Sequence, residues 1–119
     1  MDGTFKNLIV WQKAMVFVRL VYRTTRTSPA DERYALTDQL RRAAVSVPSN
    51  IAEGNGRASN KDYAHFLSIA RGSLYEAITQ LQIAQDLGYV NELPDIDAIA
   101  TELGRLLTSL LKRYGALAQ

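Results

Sequence analysis

The stretch LRRAAVSVPSNIAEGNGR, residues 40–57, carries a proline in the middle of a run that otherwise reads as a helix. Leu36, Leu40, Ala43, Ala44, Val47 and Ile51 keep a three- or four-residue spacing straight through Pro48, which is the signature of one helical face. The phase is unbroken, so the spacing predicts one helix from about residue 36 to 53, kinked at Pro48. The proline has no N–H to give the carbonyl of Ala44, and an uncompensated break of this kind costs about 3 kcal/mol. Ser46, Ser49 and Asn50 stand close enough in sequence to offer polar partners. Gly54 is expected to stop the helix. The GNGR that follows comes after a helix and is not followed by a Lys-Ser/Thr pair, so it reads as a helix–helix turn and not as a phosphate-cradling loop. It still delivers Arg57 and Lys61 beside the start of the next helix, where free N–H groups favour anions.

Working outward, the remaining apolar spacing is helical too. The first helix is expected from about residue 7 to 26, with Val10, Ala14, Phe17 and Val21 as its stripe. Leu8, Trp11, Met15, Val18 and Tyr22 widen that stripe, and Ile9, Val16 and Leu20 fall on the other side. A helix so apolar around its circumference is central or packed on two sides. SPADER, residues 28–33, reads as a connection with its own helical turn, Ser28 capping it and Pro29 in the first helical position. Ser59 opens the third helix, with Asp62 three residues on as an approximate capping box. Tyr63, Leu67, Ala70, Leu74, Ala77, Leu81 and Ala84 then form a heptad whose alanines let a neighbouring helix come close. Gly88 is expected to end it. The fourth helix, from about Pro94, repeats the rhythm with Ile96, Ile99, Leu103, Leu106 and Leu110, beside an adjoining stripe of Leu107, Leu111 and Tyr114. Four amphipathic helices with short joins predict an all-α, up-down-up-down four-helix bundle as a single domain over residues 1–119. The surplus apolar surface on the first and fourth helices predicts a homo-oligomer.

Composition narrows the function classes. The 119 residues are 47% apolar, enough for one core, and contain no cysteine. Disulfides, thiolate metal sites and cysteine nucleophiles are thereby excluded, and a cytoplasmic location is expected. No apolar run reaches the roughly 18 residues of a membrane span, and the first residues do not read as a signal peptide. Net charge is +2, unevenly spread. Residues 6–71 hold eleven Lys/Arg against five Asp/Glu, whereas residues 72–119 hold three against six. Such asymmetry points to an anionic partner for the first part or, equally, to ordinary solvated helix faces.

Catalysis finds little support. His65, the only histidine, falls at a solvent-facing heptad position, and a single D-x-x-H falls short of the paired Glu-x-x-His motifs of di-iron bundles. Glu53 and Glu76 lack an evident paired acid or base, and no Gly-x-Ser-x-Gly is present. No enzyme, metal or cofactor is predicted. The arginines are the more informative set. Arg41, Arg42, Arg57, Lys61 and Arg71 are the candidate nucleic-acid-binding residues on the second and third helices, and Arg19, Arg23 and Arg26 give the first helix its own basic stripe. Arginine suits bidentate phosphate contacts, although it is also common at protein–protein interfaces. Asp38 lies four residues before Arg42, a favourable helical pair; Glu53 and Arg57 share that spacing, but Gly54 is expected to break the helix between them.

LTDQLRRAAVSVPSNIAEGNGR and FLSIARGSLYEAITQLQIAQDLGYV resemble the four-helix-bundle family encoded within intervening sequences of bacterial large-subunit ribosomal RNA genes. The S-x-P-S-N-I-A-E-G string at 46–54 is the most specific part, and the resemblance covers nearly the whole chain. It implies a small helical subunit assembling into a ring, with a pentamer favoured. The accessory proteins of diversity-generating retroelements are similar in fold; they bind nucleic acid through basic surfaces and associate with a reverse transcriptase. Carried onto this chain, the motif positions are Gln39, Arg41, Arg42, Pro48, Asn50, Glu53, Gly54 and Arg57, with Gln39, Pro48, Asn50, Glu53 and Gly54 expected to be structural. Two readings follow. One is a non-enzymatic homo-oligomer that binds RNA or DNA without sequence preference through its arginines. The other is a protein–protein adaptor whose arginines make interface ion pairs, with a reverse-transcriptase-like protein as the partner that the resemblance implies.

Overall fold

The computed structural model describes residues 4–31, 35–91 and 94–118. After a 3-10 turn at Thr4–Asn7 come four helices: α1 (Ile9–Thr25), α2 (Leu36–Asn55), α3 (Asn60–Asp86) and α4 (Pro94–Leu117). Each packs on its neighbours in the chain, and α4 closes the set by packing on α1. The end of α1 meets the start of α2 through Thr25 and Arg41, the end of α2 meets the start of α3 at Gly54 and Phe66, and the start of α3 meets the end of α4 through Tyr63 and Tyr114. Chain neighbours therefore run antiparallel, and the fold is a four-helix bundle.

Sequence periodicity accounts for most of its interior. Val10, Ala14, Phe17 and Val21 are buried, as are all seven heptad residues of α3 from Tyr63 to Ala84. On α4 the buried face departs from the expected rhythm. Ile96, Ile99 and Leu103 are inside, but the next buried leucine is Leu107, while Leu106 and Leu110 are half-buried. A straight helix of 3.6 residues per turn drifts relative to a strict heptad. By its fourth turn α4 has therefore presented the second rail of leucines, at Leu107, to the core.

Helix ends obey local chemistry. Ser59 Oγ accepts from the N–H of Asp62 at 3.1 Å, one arm of the expected capping box. Beyond α3, Gly88 adopts a positive φ of 77°, which glycine reaches without steric cost. Tyr89 N–H then reaches Ala84 O at 2.9 Å and Gly88 N–H reaches Gln85 O at 3.0 Å, a Schellman closure. Ser28 does not cap the short turn assigned to it. Its hydroxyl is buried without a hydrogen-bond partner among the described residues, and only Ala30 and Asp31 of that turn are described, in 3-10 geometry. The remainder of SPADER, Glu32 and Arg33, lies outside the described residues.

Around Pro48, α2 is one continuous helix. Pro48 is buried on the side that faces α1, near Trp11, Met15 and Val18. The polar residues beside it supply extra donors one turn back. Ser49 Oγ donates to Val45 O at 2.8 Å, and Asn50 Nδ2 donates to Ser46 O at 2.8 Å and to Ser46 Oγ at 2.9 Å. Ser46 Oγ continues across the seam to Ser73 Oγ of α3, at 2.8 Å. Gly54 corrects an expectation. It does not stop the helix, which runs on to Asn55 with Gly56 as its cap. Gly54 is needed for approach: a Cβ there would lie 2.6 Å from Phe66 Cβ and 3.0 Å from Tyr63 Cδ1.

Candidate nucleic-acid interface

The five predicted basic residues fall at three separate places. Arg41 and Arg42 sit in its first turns. Arg41 is half-buried: its Nε donates to Thr25 Oγ1 at 2.9 Å and its guanidinium lies over the Tyr22 ring, 4.8 Å from the centroid. Thr25, buried at the end of α1, donates its own hydroxyl to Val21 O at 2.8 Å, so its lone pairs face the arginine. Stacking on an aromatic face and one fixed hydrogen bond hold this guanidinium in place. Arg42 points to solvent and pairs with Asp38 at 3.1 Å.

Arg57 and Lys61 lie at the opposite end of α2, about 20 Å away along the helix axis. The helix does end between Glu53 and Arg57, after Asn55 and not at Gly54, and the pair forms all the same. Arg57 Nη2 meets Glu53 Oε1 at 2.6 Å, and its guanidinium covers the Phe66 ring at 4.9 Å. Lys61 is exposed in the first turn of α3. Arg71 is elsewhere again. It leans from the middle of α3 onto α4, where Nη1 reaches Thr108 Oγ1 at 3.4 Å. The structure thus brings Arg41 together with Arg42 and Arg57 with Lys61, and sets Arg71 apart from both pairs.

The motif positions divide by environment. Pro48 and Gly54 are buried packing residues, Asn50 ties the helix to itself, and Glu53 is the exposed partner of Arg57. Gln39 is exposed. Tyr63, against Gly54, packs on Tyr114 with the rings tilted by 57° and their centroids 4.6 Å apart. Burial pushes its phenol above the ordinary tyrosine range; Tyr114 adds to the rise and a hydrogen bond with Asn55 pulls against it.

One feature escaped the sequence reading. Between α3 and α4 runs an open groove of about 600 Å³, floored by Ala100 and Gly104, with Arg105 and Lys112 along one wall and Tyr75 on the other. Arg71, through Thr108, reaches its rim. Counting charge by stretches of sequence hid this place, because Arg105 and Lys112 lie in the part whose balance is negative. Spacing on α4 alone, with the two cations seven residues apart, is the signal that would have put them on one side of the helix. Among the described residues, no three His, Cys, Asp or Glu side chains cluster as a metal site would require, and no helix is long and apolar enough to cross a membrane. His65 is exposed, its ring edge-on to Phe66 at 5.7 Å.

A four-helix bundle with arginines laid over surface aromatics defines a class but not a family. Residues 6–109 match the 23S rRNA-intervening sequence protein family, and the chain belongs to it. A comparison with curated proteins finds no match.

Proposed function

We propose that the protein is a non-enzymatic, cytoplasmic homo-oligomer that binds RNA or DNA without sequence preference, by neutralising phosphates with exposed cations. The observation that carries this reading is the surplus of unpaired positive charge. Of the thirteen described Lys and Arg side chains, Lys13, Arg42 and Arg57 pair with carboxylates, leaving ten that pair with none among the described residues. Arg41, fixed over Tyr22, is the best-oriented donor of the predicted set. A net charge of +2 is low for one subunit of a nucleic-acid binder, but a ring multiplies it by the number of copies; a pentamer is the favoured size. Ile69 and Ile83, exposed along α3, Leu87 at its C-terminal cap and Ile9 on α1 provide apolar surface for contacts between copies. In this reading the bend at Pro48 shapes α2 for assembly.

Labelled RNA, single-stranded DNA and duplex DNA titrated across a salt series, with light scattering on the same samples, test the reading. Micromolar binding that falls steeply with salt, weakened by Arg41→Ala plus Arg42→Ala in an intact oligomer, is the expected result. Absence of binding at low salt from an intact oligomer would overturn it.

The adaptor reading has one observation of its own. Asp38 and Glu53 already neutralise Arg42 and Arg57, two of the five predicted contacts. Such pairs suit a protein surface, with a reverse-transcriptase-like protein as a possible partner. Binding to such a protein that persists at high salt, with no nucleic-acid affinity, would favour it.

A further inference from the structure

We propose that the groove between α3 and α4 holds a single nucleic-acid strand, with phosphates on Arg105 and Lys112 and a base stacked on Tyr75. This rests on the nucleic-acid reading above and gives it a place and a substrate class, using residues outside the predicted set. The groove exists because Ala100 and Gly104 project almost nothing from α4. A Cβ on Gly104 would find Leu74 Cδ2 at 3.8 Å and Tyr75 Cε1 at 4.0 Å, ordinary contact distances, so a methyl would just touch the groove's edge and a larger side chain would project into it. Tyr75 is half exposed beside that space, and Ile78 extends its apolar surface. An accessible aromatic ring bordering a positively charged groove is the arrangement that single strands use, stacking bases while cations follow the backbone. A duplex keeps its base faces hidden in the stack and cannot use Tyr75.

Charge also decides where along the groove the strand lies. Arg105 and Lys112 are two helical turns apart, about 10 Å, and neither makes an ion pair among the described residues. Arg71 joins them at the rim through Thr108, and Ser109 offers a further hydroxyl. Among the described residues, the one carboxylate lining the groove is Asp97, two turns before Arg105 at the other end, where it repels phosphate. Glu102, on the far flank of α4, is held by Lys13 at 3.3 Å. The strand therefore occupies the stretch from Arg105 to Lys112, over Gly104 and Tyr75. The same chemistry in Arg41 and Arg42 lacks a groove, and in Arg57 it is spent on Glu53.

Fluorescence anisotropy with a labelled oligouridine and a labelled DNA duplex tests this, using three variants of the full chain. Arg105→Gln plus Lys112→Gln removes charge and keeps shape. Gly104→Leu fills the groove and keeps charge. Tyr75→Leu removes the ring and keeps an apolar side chain. The expected results are a salt slope for oligouridine shallower by about 1.4 in the first variant, and roughly tenfold weaker oligouridine binding in the third. The second should weaken oligouridine more than duplex. Helicity and light scattering identify any variant that misfolds, and the other two then decide. Nucleic-acid binding by the wild type that all three variants retain would overturn this inference and leave the broader reading standing. No binding by the wild type to either probe would overturn both. A change in particle size without a change in binding would show the groove to be a contact between copies, and would also overturn it.

Discussion

Gly54 and Gly104 are both glycines inside long helices, and they do opposite things. At Gly54 the neighbouring helix is so near that a Cβ would fall 2.6 Å from Phe66 Cβ. At Gly104 the nearest atom is a full van der Waals contact away, at 3.8 Å, and belongs to the movable end of Leu74. One glycine is required by the closed α2–α3 seam, and the other borders the α3–α4 groove at ordinary packing distance. A missing side chain thus has no meaning by itself; it is read from what stands opposite. The closed seam serves stability, and the open groove leaves room for a ligand.

The strongest way to break this contrast is Gly54→Ala. Alanine is the better helix former by about 1 kcal/mol, but here the added methyl collides with Cβ of Phe66, which cannot rotate away. The helices must separate, and a net loss of about 2 kcal/mol or more is expected, as for other overpacked cores. Urea unfolding followed by circular dichroism measures it. A neutral or stabilised variant would mean that α2 and α3 adjust freely and that the seam is not close-packed.

A second test addresses the polar part of the same seam. Asn50 makes two hydrogen bonds to Ser46, and Ser46 shares one with Ser73 across the interface. Asn50→Ala removes the donors, leaving Ser46 Oγ with Ser73 alone in a half-buried site. The expected cost is about 1–2 kcal/mol in the same unfolding experiment. Equal stability would show that water replaces the amide without penalty.

Much of this architecture was legible before any coordinates, and the failures share one cause. The α3 heptad predicted seven of the eight buried residues of that helix, missing only the polar Gln80, because a long amphipathic helix buries one continuous face. Gly54 was misread as a stop because a glycine after a helical run serves termination and close approach alike, and the choice depends on Phe66, twelve residues away. The Glu53–Arg57 pair forms although α2 ends between its members, because the turn after Asn55 still returns Arg57 to Glu53. On α4, leucines at 103, 106, 107, 110 and 111 form two rails, and periodicity alone cannot say which one meets the core. The groove was harder still. Arg71 and Thr108 are 37 positions apart, and only the antiparallel return of α4 sets them side by side. Local spacing reveals faces; it does not reveal which distant face stands opposite.

Tyr63 sharpens the comparison through pH. It lines the closed seam, and its raised phenol pKa means that the folded state holds the proton longer than the unfolded chain does. The corresponding stability is fully present below about pH 10, the ordinary tyrosine value, and is lost as pH rises through the higher folded value. Tyr63→Phe removes that titration and the Asn55 hydrogen bond together. The variant should lose up to about 1 kcal/mol at neutral pH and show a gentler decline in stability above pH 10. Urea midpoints measured from pH 8 to 11 provide the check. Parallel curves for both proteins would mean that the Tyr63 phenol is as well solvated in the fold as in the open chain.

The smallest effect should have the opposite sign. Gly104→Ala adds a methyl where the nearest atoms are at ordinary contact distance, so no collision opposes the gain in helix propensity and the reduced freedom of the unfolded chain. A stabilisation of about 0.5–1 kcal/mol is expected, read as a higher urea midpoint at an unchanged slope. Helix propensity alone would raise stability at both glycines, so the pair of alanine substitutions isolates the term that differs. If both variants were destabilised, the α3–α4 side would be as tightly closed as the α2–α3 seam, and no strand could enter it. Opposite signs would establish that the bundle keeps one seam shut and another open with the same residue.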